Sequence, residues 1–157
     1  MTATGHSVMG VALAAAIPNP YLGIPIAILS HIACDAFPHW DTGTNMPNNN
    51  PKSKKTRLRF VTESVFDLVL SLTVPLLLMY YLFPHLNPLY MYSMVIAAQG
   101  FDWATAPALF LKWKFPPFST AYWLQGTFDH RLDRPLGVIL QIIVLIAFLF
   151  IAKISLV

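Results

Sequence analysis

Apolar residues run almost unbroken from Ser7 to Phe37, and the one interruption is Pro18-Asn19-Pro20. Proline inside a helix removes a backbone donor and clashes with the preceding turn. The pattern therefore predicts a helical hairpin, with helices over about Thr4–Ile17 and Tyr21–Phe37. A polar stretch follows over Asp41–Arg59, and its centre, "MPNNNPKSKK", has the composition of a loop. A third apolar segment covers about Phe60–Phe83, turns at Pro84–Pro88, and returns as a fourth over about Leu89–Phe110. Lys112–Thr120 is a second polar loop, followed by a short amphipathic piece near Ala121–Arg131. Pro135 then opens a final apolar helix, Leu136–Ile154. Hairpin, loop, hairpin, loop, helix: the expectation is an all-α, polytopic membrane bundle of about five helices. It comprises two hairpins plus a C-terminal transmembrane helix, in one domain over 1–157, with polar loops at about 41–59 and 111–134. The first helix falls short of the roughly 20 residues a full span needs, which predicts that it is tilted or lines a thinned region.

Composition supports the bilayer. The chain is 56% hydrophobic and only 11% charged, against about 25% charged in soluble proteins, and its mean hydropathy is +0.58. A formal charge of +3 would suit nucleic acid, but its placement points elsewhere. Nine of the ten lysines and arginines lie in or beside the two polar loops, and the hairpin tips carry none. Positive residues mark the cytoplasmic side. The expected location is therefore a bacterial-type inner (plasma) membrane, multi-pass, with the N-terminus and both polar loops cytoplasmic. The lipid bilayer is the expected partner, and no nucleic acid is expected. A single cysteine, Cys34, excludes an intrachain disulfide. No lysine or arginine precedes the first apolar run, so no secretory signal is read there.

Against this apolar background the stretch "SHIACDAFPHWDTG", Ser30–Gly43, concentrates His31, Asp35, His39 and Asp41. Counting from the hairpin tips gives these residues partners. His6 and His31 each lie about 12 residues from the first tip, so both stand roughly 18 Å from it, at one level. Asp35 follows His31 by one helical turn. Asp67 and Asp102 lie 18 and 17 residues either side of His85 at the second tip, and Glu63 sits one turn below Asp67. The segment Phe128–Pro135 returns Asp129 and His130 to the same layer. His6, His31, Asp35, His39, Asp41, Glu63, Asp67, Asp102 and His130 are thus expected at one end of the bundle.

Imidazole and carboxylate ligate zinc, and a zinc site with an open position lowers the pKa of water to about 7. A carboxylate beside such a site can act as general base, and acids within apolar spans are functional candidates. The expected metal ligands are His6, His31, Asp35, Asp102, His39 and His130, holding a divalent metal, zinc first. Asp67 or Asp41 is the expected base or second-metal ligand. Plainer roles stand beside these. His6 suits an interfacial helix start, and His31–Asp35 a structural hydrogen bond. His39 with Trp40 suits an interfacial anchor, and Asp41 a turn cap with Thr42-Gly43. Asp102 suits a bond to a helix end, and Asp129 and His130 solvated loop groups. Glu63 pairs naturally with Arg59. Lys54, Arg57 and Arg131 could steer anionic headgroups, although topology explains the same charges.

"MTATGH", Met1–His6, a short apolar helix and a P-x-x-D segment resemble the YdjM-like inner-membrane metal-dependent hydrolases. That family is grouped with the zinc-dependent phospholipase C and nuclease superfamily. The resemblance covers the first 45 residues, and beyond them only the helix pattern. It places the opening histidine at His6 and the family's Pro-Asp-x-Asp-His box on Pro38-His39-Trp40-Asp41-Thr42. There His39 replaces the first acid and Thr42 the trailing histidine. His130-Arg131 resembles a later family pair whose second histidine this chain lacks. His31 and Asp35 are positioned to refill such a site. The resemblance implies hydrolysis of a phosphoester, in a phospholipid or another membrane-associated substrate. Two other functions fit the same residues: a non-catalytic membrane scaffold, and a small ion or proton transporter using Asp67 and Asp102.

Overall fold

At the centre of the molecule stands a short helix built from small residues. In the computed structural model, which describes residues 1–45, 54 and 56–155, α1 (Ala3–Ala16) has ten of its fourteen residues buried. The Thr2 hydroxyl caps it, accepting from the Gly5 amide at 3.1 Å. Around α1 lie α2 (Pro20–Ala36), α3 (Arg57–Tyr81), α4 (Pro88–Ala98) and α7 (Leu136–Ile154). Two further helices, α5 (Gly100–Phe110) and α6 (Phe118–Phe128), pack on each other and on α2. Glycine permits the tightest of these contacts. A Cβ at Gly10 would fall 2.8 Å from Val95 Cα and 2.9 Å from the Met94 carbonyl oxygen, so α1 and α4 meet backbone to backbone.

The hairpin tips are where the sequence places them. Each is followed by an Asn-Pro start: the Asn19 side chain accepts from the Tyr21 amide at 2.9 Å, and that of Asn87 from the Tyr90 amide at 3.1 Å. Proline at the first helical position loses nothing, because its missing N–H would have no partner there. Most of the loop "MPNNNPKSKK", with Lys52 and Lys55, lies outside the described residues.

The expected fourth helix, Leu89–Phe110, is two helices, and the described residues form seven helices rather than about five. The break falls at Gln99, whose backbone (φ −91°, ψ 5°) leaves the helical region. Its side-chain amide donates inward to the Ser7 hydroxyl at 2.5 Å, and Gly100 follows. Ending α4 there leaves the Ala98 carbonyl without a helical donor, and His31 takes up that carbonyl. The break serves the site.

Among the described residues, only α3 and α7 are long and apolar enough to cross a membrane; α1, α2 and α4 are shorter apolar helices. Both long helices hold large side chains outward, including Val69, Leu72 and Leu76 on α3 and Ile139, Ile143, Ile146 and Phe150 on α7. Among the described residues there is no strand, only a single β-bridge between His39 and Arg131. α7 begins directly against it: a Cβ at Gly137 would fall 2.7 Å from the Leu132 carbonyl and 2.8 Å from the Trp40 amide.

Candidate metal centre

Four elements deliver the polar layer. α1 carries His6 in its first turn, α2 carries His31 and Asp35 near its end, and α5 opens with Asp102. The loop beyond α2 adds His39. The antiparallel course of α1 and α2 stacks the His6 and His31 rings, with centroids 3.8 Å apart. Asp35 faces both: Oδ1 lies 3.2 Å from His6 Nε2, and Oδ2 lies 3.2 Å from His31 Nε2. Asp102 Oδ1 stands 3.7 Å from His31 Nε2. One ligand atom each from His6, His31 and Asp102 lies within 4.8 Å of the others, so this group could hold a metal ion.

A second corner adjoins it. His39 places Nε2 3.2 Å from Asp129 Oδ1 and 3.9 Å from Asp35 Oδ1. Backbone bonds fix this corner: the His130 amide donates to the Asp35 carbonyl at 2.9 Å, and the His39 amide to the His130 carbonyl at 3.1 Å.

The hydrogen bonds decide what these atoms can be. His31 Nδ1 donates to the Ala98 carbonyl at 2.8 Å, and His39 Nδ1 to the Phe37 carbonyl at 2.7 Å. Each Nε2 faces carboxylate oxygens, a contact that either a proton on Nε2 or a bound cation bridges. Among the described residues, both His6 nitrogens, His39 Nε2, Asp102 Oδ2 and Asp129 Oδ1 are buried without a hydrogen-bond partner. Buried acceptors facing acceptors are costly unless a proton or cation lies between them. Imidazole nitrogen with carboxylate oxygen is a donor set that suits zinc and related divalent ions.

Part of the carboxylate charge is matched within the protein itself. Burial disfavours charge on the Met1 amino group, yet Asp35, Asp41 and Asp102 outweigh it and hold its pKa above the usual terminal-amine value. That amino group pairs with Asp35. At the second corner burial would raise Asp129, but His39 and the Arg131 guanidinium hold its carboxyl below the usual range.

No protein-family model, curated protein or solved structure matches this chain. The chemistry of the site rests on its own atoms.

The structure brings together His6, His31, Asp35, Asp102 and His39 from the candidates named above, and it places the others differently. The His130 side chain is exposed, and its neighbour Asp129 turns inward instead. Asp67 lies across from the cluster at the start of α1. Its carboxylate accepts from the Ala3 amide at 2.7 Å, the Thr4 amide at 3.1 Å and the Thr4 hydroxyl at 2.6 Å. Asp41 closes its own turn, accepting from the Thr42 and Gly43 amides at 2.6 and 3.2 Å, and Arg131 stands 3.6 Å away. Glu63 pairs with Arg59 at 3.0 Å. Cys34 is buried and unbridged.

Two residues that the sequence pattern did not single out complete the layer. Gln125 on α6 donates to Asp102 Oδ1 at 3.1 Å and lies 3.3 Å from His31 Nε2, a position that orients both. Gln99 anchors the α4–α5 break described above. The available signal was a lone amide within an apolar run.

A cavity of about 430 Å³ opens beside the layer, between α3 and α5. Asp102, Gln99, Gln125 and Asp67 form its floor, and Val61, Leu68 and Ala106 stand on its walls. The Phe60 and Phe110 rings, with centroids 5.8 Å apart, stack at one end.

Proposed function

We propose that this protein is a membrane-embedded, metal-dependent hydrolase acting on a phosphoester. Buried imidazole nitrogens and carboxylate oxygens converging from four elements carry the reading. His6, His31 and Asp102 would hold one divalent cation, zinc first. His39 and Asp129 would hold a second, with Asp35 between the two. Cations held there supply Lewis acidity toward a phosphoryl oxygen and lower the pKa of water. The chain's own contribution is orientation. The Ala98 and Phe37 carbonyls fix the tautomers of His31 and His39, and Gln125 fixes the Asp102 carboxylate. Asp41, which lines the cavity with its carboxylate held by the Thr42 and Gly43 amides, would serve as the general base.

The same activity follows from the resemblance of the first 45 residues to the YdjM-like hydrolases. α3 and α7 would anchor the chain in the bilayer, and the basic loops would place the site at the cytoplasmic face. Metal analysis of the purified protein tests the centre. Stoichiometric divalent metal is expected, with most of it lost in His31→Ala and in Asp102→Asn. A wild-type protein that takes up none, even when refolded or dialysed against zinc, sinks the proposal. Hydrolysis of a simple chromogenic phosphodiester, abolished by chelator and restored by metal, would support the reaction.

A further inference from the structure

The cavity beside the candidate centre has a polar floor and an apolar mouth. Val65, Trp103 and Leu109 line it and are 55%, 46% and 44% exposed. They form its apolar side, opposite the polar side made by Asp41, Thr42 and Arg131. Val65 heads a row with Val69, Leu72 and Leu76, spaced about one helical turn apart along α3 and all exposed. That row is the outer surface of one of the two helices apolar enough to cross a membrane. The mouth therefore opens onto the surface that α3 offers to hydrocarbon. The cavity thus joins a polar side at Asp41 and Arg131 to an apolar side at Val65 and Trp103, the two-sided lining that an amphiphile matches. A molecule already in the bilayer meets it directly.

We infer that the cavity binds a single-chain phosphate amphiphile, its hydrocarbon chain at the mouth between Val65 on α3 and Trp103 on α5 and its phosphate on the floor at Asp102 and Gln125. The phosphate contact rests on the hydrolase reading, because only a cation held at Asp102 offsets the Asp102 and Asp67 carboxylates of the floor; the chain site does not. The Phe60–Phe110 pair closes one end, so the chain leaves along the α3 row. The volume is at the low end of ligand pockets, which run from about 300 to 1,000 Å³, and fits one chain segment with its head better than a two-chain lipid.

Trp103 is a built-in reporter. The metal-loaded protein in phosphatidylcholine nanodiscs would be titrated with a lysophosphatidic acid bearing a bromine-labelled acyl chain. Bromine quenches indole fluorescence only at close range. Saturable quenching is expected, and its saturable part should vanish in Trp103→Phe. Val65→Phe, at an exposed position, and Ala106→Leu, within the cavity, should each weaken it at least tenfold while metal content stays at the wild-type level. A brominated fatty alcohol, which has the chain without phosphate, should bind at least tenfold more weakly. Glycerol phosphate, the head without the chain, should not compete at matched concentration.

Quenching that rises without saturation, or that stays at the wild-type level in Trp103→Phe and in Val65→Phe, overturns the chain site. Metal analysis on the same samples separates the two readings. Saturable quenching in a protein that binds no metal upholds the chain site and removes the hydrolase. Bound metal with no saturable quenching upholds the metal centre and removes the chain site.

Discussion

α1 and α7 are both apolar helices, yet they occupy opposite environments. Ten of fourteen residues are buried in α1, but only three of nineteen in α7. Side-chain size separates them. Half of α1 is Gly or Ala, with Val8, Met9, Val11 and Leu13 its larger apolar residues, and this low relief lets four neighbouring helices pack around it. α7 is Leu, Ile and Phe, pointing away from the protein. Small residues release little free energy from burial, about 0.8 kcal/mol per CH₂. α1 is instead tied down by polar contacts: Asp67 at Ala3 and Thr4, Gln141 donating to Thr2 at 2.6 Å, and Gln99 donating to Ser7. The lesson is that the least bulky apolar helix is the one at the centre, and it carries His6. α7 makes sense only if something other than water covers it, since exposed apolar patches beyond a few hundred Å² are rare in soluble monomers.

Gly10→Val should break this contrast most severely. The new side chain would meet the α4 backbone, which cannot turn aside. Overpacking of this kind costs about 3 kcal/mol or more, read as lost folded yield and a lower Tm in detergent. Next is Ile143→Lys, near the middle of α7 and 56% exposed. If lipid covers that face the cost is about 2.5–3.5 kcal/mol, visible as reduced membrane insertion. Unchanged insertion would mean that water reaches it. Asp67→Asn comes third. Losing one charged acceptor at the α1 start should cost about 1 kcal/mol, measured by thermal melting, while metal content stays unchanged. Hydrolysis that disappeared with folding and metal intact would instead give Asp67 a chemical role.

The level of the site was legible in the sequence, because residue counts from the prolines fix how far each polar group stands along antiparallel helices. His6, His31, Asp35 and Asp102 meet for that reason. Side-chain direction in a loop was not legible: Asp129 and His130 are neighbours in one segment, and only a backbone bridge to His39 selects which one faces in. The length of the fourth helix was misread because its apolar run continues past Gln99. Hydropathy does not register that a single inward-turned amide can end a helix. Nor does it separate α1 from α7, since both score as apolar while only one is surrounded by protein.

The smallest expected effect gives the cleanest reading of that last difference. Ile143→Ala removes three carbons from the outer face of α7, and Val11→Ala removes two from the core between α1, α4 and α7. In a bilayer, lipid chains close over the shortened Ile143 site, so no cavity forms. Alanine is also the stronger helix former. The net change for Ile143→Ala should stay within about 0.5 kcal/mol. Val11 is fully buried, and its surroundings cannot follow the lost methyls, so the smaller deletion should cost more, about 1 kcal/mol or above. Thermal melting of both variants in nanodiscs makes the comparison. An Ile143→Ala loss as large as that of Val11→Ala would show that protein, not lipid, lies against the outer face of α7.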